Sequence, residues 1–130
     1  MAEIKFTIPG TLPSLNELID AERANKQKGA KVKKGAESVA RLFIRQQIRK
    51  ARPRTPVTLH YHFVEPTRRR DKDNISGFAH KVIQDALVKE GIIQNDGWDY
   101  VEGFTDSFSI DKKNPRIEVW IEERKEHGKV

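Results

Sequence analysis

The chain has 130 residues, with 25 Lys and Arg against 19 Asp and Glu and a formal net charge of +6, for a sequence pI near 9.7. That length suits one domain with its own core, and the basic balance favours an acidic partner such as nucleic acid. The absence of cysteine excludes disulfides, thiolate zinc sites and thiol nucleophiles, and fits an intracellular protein.

The opening "MAEIKFTIPG" has no long apolar run behind a basic cluster, and nothing later approaches the roughly 18 apolar residues of a membrane span. A soluble, cytoplasmic protein with no membrane partner is expected. Ile4, Phe6 and Ile8 alternate with Lys5 and Thr7 as in a half-buried strand, which Pro9 and Gly10 end. "LPSLNELIDAER" then starts a short helix, with Ser14 as N-cap and Glu17 completing a capping box. Residues 24–35, "ANKQKGAKVKKG", are polar, basic and glycine-containing and are expected to form a mobile loop.

Residues 36–51 predict a basic amphipathic helix, with Val39, Leu42, Phe43, Ile44 and Ile48 at helical spacing. Across residues 22–54 the basic side chains outnumber the acidic by ten, so the rest of the chain is net acidic. "PVTLHYHFVEP" alternates Val57, Leu59, Tyr61 and Phe63 against Thr58, His60 and His62 and predicts a strand. A helix over about 75–90 follows, turning Phe78, Val82, Ile83, Ala86 and Leu87 inward and stopping at Gly91. Two more strands flank "DKKNP", and residues 124–130 read as a frayed tail. The order β, α, α, β, α, β, β predicts an α/β (α+β) single domain over 1–130: a small mixed β-sheet with helices packed on it.

The chemistry concentrates in "RRRDKDN". As a calcium loop it fails on register, because Ser76 sits where glycine is required and Val82 replaces the closing glutamate. Asp71 and Asp73 do suit Mg2+, which takes one or two carboxylates plus waters and phosphate oxygens. If the segment after Val64 stays extended, the two carboxylates point to one side. Asp96 in "GIIQNDGWD" offers a third, with Asp99 just beyond. Against this stands the ordinary use of Asp and Asn in turns and N-caps. His60 and His62 read as plain strand residues rather than ligands, and Lys81, Asp85 and Lys89 as a solvated ladder.

"RRRDKDN", the helix carrying Lys81 four residues before Asp85, and "GIIQND" in that order resemble the RusA family of Holliday junction resolvases; "LPSLN" is similar to the family's N-terminal segment. The resemblance places the family's D-x-D pair on Asp71 and Asp73, its third carboxylate on Asp96 and its lysine on Lys81. The chain departs from the pattern in a stretch about one helical turn longer before Lys81, and in Asn95, where a second aspartate is frequent.

The resemblance implies a homodimeric, Mg2+-dependent endonuclease cutting two strands of a four-way DNA junction, with Asp71, Asp73 and Asp96 as metal ligands and Lys81 catalytic. Asp85 is a further candidate ligand. Arg68, Arg69 and Arg70 would engage phosphates bidentately, and the basic segment with Lys31, Lys33, Lys34, Arg41 and Arg45 would contact the junction arms. The alternatives are a non-catalytic nucleic-acid-binding module and a nuclease for another branched or flap nucleic acid.

Overall fold

Phe6 and Ile8 alternate with polar neighbours on β1 (Ile4–Pro9) and start the sheet's buried face. The computed structural model describes residues 3–124. β1 is followed by α1 (Leu15–Ala24), α2 (Lys26–Ile48), β2 (Val57–Glu65), α3 (Lys72–Lys89), β3 (Val101–Ile110) and β4 (Arg116–Glu122). The predicted element order and the small mixed sheet are observed. The tail beyond Arg124 lies outside the described residues.

The sheet runs β1-β4-β2-β3. β4 lies antiparallel to both β1 and β2, whereas β2 and β3 are parallel and need the crossover helix α3 to join them. Register aligns Phe6, Val119, Tyr61 and Asp106 in one row, and Ile8, Ile117, Phe63 and Phe108 in the next. These rows face the helices. The opposite face is polar, with Lys5, Trp120, His60 and Thr105 in one row.

The capping box forms as expected: Glu17 N–H donates to Ser14 Oγ at 3.1 Å, and Ser14 N–H donates to Glu17 Oε1 at 3.2 Å. The stretch expected as a mobile loop is instead helical, the first part of α2. Asn25 caps it, its Oδ1 accepting from Lys28 N–H at 2.8 Å, and lysine and glutamine are good helix formers. Gly29 is a contact glycine. A Cβ there would lie 2.4 Å from Glu22 Cγ and 3.2 Å from Glu22 Cα, so its absence lets α2 turn back closely on α1.

The longer helix also corrects the predicted apolar face. Gly29, Ala36, Ala40, Ile44 and Ile48 are buried, whereas Val39 and Leu42 are exposed. α3 matches its predicted face, with Phe78, Val82, Ile83, Ala86 and Leu87 all buried, and ends at Gly91, whose φ of +75° favours glycine. No helix among the described residues is long and apolar enough to cross a membrane.

Candidate active site

β2 delivers Glu65 to a buried position at its C-terminal end, where a carboxylate needs partners. Arg70 supplies them: Nε donates to Oε1 at 3.0 Å and Nη2 to Oε2 at 2.9 Å. Its Nη1 donates to the Leu12 carbonyl at 2.9 Å and stands 3.5 Å from Glu17. Arg70, expected as a phosphate contact, therefore ties the β2–α3 turn to the segment before α1. Arg68 and Arg69 are exposed, and their guanidinium groups have no partner among the described residues.

The chain does not stay extended to Asp73, because α3 begins at Lys72. Asp71 is its N-cap and Asp73 lies in its first turn. Both are exposed. The Asp71 carboxylate makes no capping hydrogen bond, and neither aspartate side chain has a hydrogen-bond or ion-pair partner among the described residues. The helix dipole favours negative charge at this end. Asp71, Arg68 and Lys72 line a cleft of about 680 Å³ whose far wall includes Phe108 and Ile110 of β3, with the Lys72 ammonium 5.6 Å from the Phe108 ring centroid.

Asp96 lies elsewhere. It is half-buried in the loop after α3, where Gly97 N–H donates to Asn95 Oδ1 at 2.9 Å and the Gly97 carbonyl receives Tyr100 and Val101. Asn95 is thus a turn residue. α3 has 18 residues and is about 27 Å long, with Asp71 and Asp73 at its start and Asp96 in the loop beyond its end. Lys81 is eight residues beyond Asp73, about 12 Å along the axis, and its Nζ lies 3.4 Å from Asp85 Oδ1. A single chain does not gather the four positions of the expected site. Among the described residues no group of three His, Asp or Glu stands close enough to hold a metal ion.

Of the basic residues on α2, Lys31, Lys33 and Lys34 are exposed and unpaired among the described residues. Arg41 and Arg45 are engaged by Glu90, with Arg41 Nε and Arg45 Nη2 each 2.7 Å from Oε2. Hydrogen bonds from Arg45 and then Arg41 hold the Glu90 carboxyl at about 2, against the opposing effect of partial burial. Both nitrogens of His60 and of His62 meet hydroxyl or carboxylate oxygens at 2.6–2.9 Å. That leaves the pair as strand residues. Sequence reasoning passed over Trp98, which is 97% exposed beside Asp96; a tryptophan inside the polar turn "NDGWD" was the available signal.

A family model described as Endodeoxyribonuclease RusA matches residues 17–122, from α1 to the end of β4. The chain belongs to the RusA family. No match was found among curated proteins. The RusA match spans Asp71, Asp73, Lys81 and Asp96 and identifies the chemistry as hydrolysis of DNA within a family of Holliday junction endonucleases. In this RusA-family chain the free Asp71 and Asp73 carboxylates fit a hard divalent cation, which needs one or two such ligands and fills its remaining positions with water and phosphate oxygens.

Proposed function

We propose that the protein is a Mg2+-dependent, structure-selective endonuclease that resolves four-way DNA junctions by paired symmetric phosphodiester hydrolysis, acting as a homodimer. The observation that carries this reading is the exposed Asp71–Asp73 pair at the start of α3, flanked by exposed Arg68 and Arg69, all four side chains without a partner among the described residues, in a chain of the RusA family.

Asp71 and Asp73 hold the metal, and Asp96 is the third carboxylate of the family's pattern. When bound, Mg2+ supplies an activated water and offsets charge on the attacking and leaving oxygens. Arg68 and Arg69 bind phosphates on either side of the cut and lower the cost of bringing a polyanion to carboxylates. Lys31, Lys33 and Lys34 hold a junction arm through its backbone without reading bases. Arg41 and Arg45 contribute less, since Glu90 already occupies their guanidinium groups. Lys81 orients itself on Asp85. Two symmetric incisions are most simply made by two sites related by a two-fold axis.

The test is cleavage of a labelled synthetic four-way junction against linear duplex of the same arms, in Mg2+ or EDTA, with wild type and Asp73→Asn. Paired symmetric nicks that need both Mg2+ and Asp73 are expected. Junction binding without cleavage in any divalent metal would instead make the protein a binding module.

A further inference from the structure

In the sequence Lys72 separates the two aspartates of the proposed site, and it is the first residue of α3. A helix N-terminus carries partial positive charge and disfavours a cation, so helix formation does not account for a lysine here. Carboxylates flank it on both sides, yet the Lys72 ammonium makes no ion pair among the described residues. It lies instead over the Phe108 ring of β3, 5.6 Å from the centroid. Phe108 is itself fixed, stacked at 5.3 Å on the fully buried Phe63.

An aromatic ring attracts an ammonium through its face and leaves the N–H donors available to an anion. The ammonium is thereby placed without being neutralised. It shares its cleft with Asp71 and Arg68. The other charged residues lining that cleft, Glu65 and Arg70, neutralise each other through two hydrogen bonds. What stays open to a ligand is one carboxylate for a divalent cation and two cationic groups for a phosphate beside it.

Lys81 shares neither property. It lies nine residues beyond Lys72, about two and a half turns along α3, which sets the two lysines about 13 Å apart along the axis and on opposite faces of the helix. Its ammonium is 3.4 Å from Asp85 Oδ1 and so already faces a carboxylate.

The geometry points to Lys72 as a catalytic residue whose ammonium, steadied by Phe108, meets a non-bridging oxygen of the phosphate being cut. The inference rests on the nuclease reading above. Hydrolysis joins the water oxygen, with one of its hydrogens, to phosphorus. The bond from phosphorus to one sugar oxygen breaks, and that oxygen takes the other hydrogen. Negative charge on the non-bridging oxygens rises on the way to the pentacovalent transition state, and a cation already aimed at them stabilises that state more than the ground state. Lys72 transfers no proton in this role, and Phe108 is a positioning residue.

Single-turnover cleavage of a labelled four-way junction in Mg2+ tests it, with the Kd for the same junction measured in Ca2+. Lys72→Met keeps the apolar stem and removes the charge. Its cleavage rate at saturating protein should fall on the order of a hundredfold, with Kd changed by less than about threefold. Lys72→Arg, which keeps a cation over the ring, should recover the rate to within about tenfold of wild type. Phe108→Leu should cost about two- to fivefold by itself and nothing further in the Lys72→Met background, because the ring acts through the ammonium. A Lys72→Met protein that cuts at full rate, or whose loss lies wholly in Kd, overturns the inference while wild-type cleavage preserves the nuclease reading. A wild type that binds the junction and never cuts it removes the nuclease reading itself.

A readout without catalysis accompanies these rates. Junction DNA in Ca2+ should shield Lys72 from acetylation by acetic anhydride, read by mass spectrometry, and leave Lys81 reactive. Equal acetylation of Lys72 with and without the junction, or shielding of Lys81 in its place, overturns the assignment.

Discussion

Arg70 grips Glu65 with two parallel hydrogen bonds of 3.0 and 2.9 Å at the mouth of the cleft that Asp71 lines. Three consecutive arginines therefore do different work: one is internal structure, and two are available to a ligand. Arg70→Ala leaves a buried carboxylate without its partner, a loss expected to cost about 3–5 kcal/mol and measurable as a lowered urea midpoint. Arg69→Ala should leave that midpoint within about 0.5 kcal/mol of wild type.

The free pair makes the complementary prediction. Arg68 and Arg69 are exposed near Asp71, and their guanidinium groups have no partner among the described residues. Replacing both with alanine should weaken DNA binding and reduce the slope of log K against log salt by about 2, roughly 0.9 for each lost phosphate contact. An unchanged slope means that these side chains do not meet the backbone.

Glu90 joins α3 to α2 through Arg41 and Arg45, and its carboxyl sits at about 2 against an ordinary 4.5. A depressed carboxyl pKa stabilises the folded state above about 4.5, and the contribution is lost as pH falls towards 2. Glu90→Gln should therefore be less stable than wild type at pH 7. The expected gap is on the order of 1–2 kcal/mol, kept small because the arginines are partly solvated. Denaturation at pH 7 and again near pH 3 checks it: a gap that does not shrink at the lower pH rules out the ion pair as its source.

The first part of α2, expected as a loop, meets α1 closely at Gly29. Gly29→Ala gains about 1 kcal/mol of helix propensity, but its Cβ would meet Glu22 Cγ at 2.4 Å and Glu22 Cα at 3.2 Å. Overpacking of that kind costs about 1–3 kcal/mol. Net destabilisation is expected in a thermal melt, and Gly35→Ala, where a Cβ meets nothing within 4 Å, should stabilise instead.

These contrasts show what was legible in the sequence. β1, β2, β4 and α3 could be read because alternation or helical spacing directly records which side chains meet the core. Residues 26–35 could not, because Gly29 reads as a breaker locally and acts as a close-contact residue only once α1 lies against it. In the site, Asp71 and Asp73 were visible as a motif, but the tie between Arg70 and Glu65 depends on β2 ending where it does. The distance from Asp73 to Asp96 depends on α3 starting at Lys72 and on the parallel crossover. Neither is a property of local spacing.

Trp98 bears on substrate shape. It is 97% exposed in the same loop as Asp96, whereas Trp120 packs its ring 4.8 Å from that of His60 on the polar face of the sheet. An indole that free can stack on a base unpaired at a branch point, a contact worth about 1–3 kcal/mol. A continuous duplex offers no such base. Trp98→Ala should then weaken junction binding by about tenfold, affect duplex binding little, and leave the salt slope unchanged, since no phosphate contact is lost. Junction binding should also quench the emission of Trp120→Phe protein, in which Trp98 is the remaining indole. Equal losses on junction and duplex would assign Trp98 to general DNA contact.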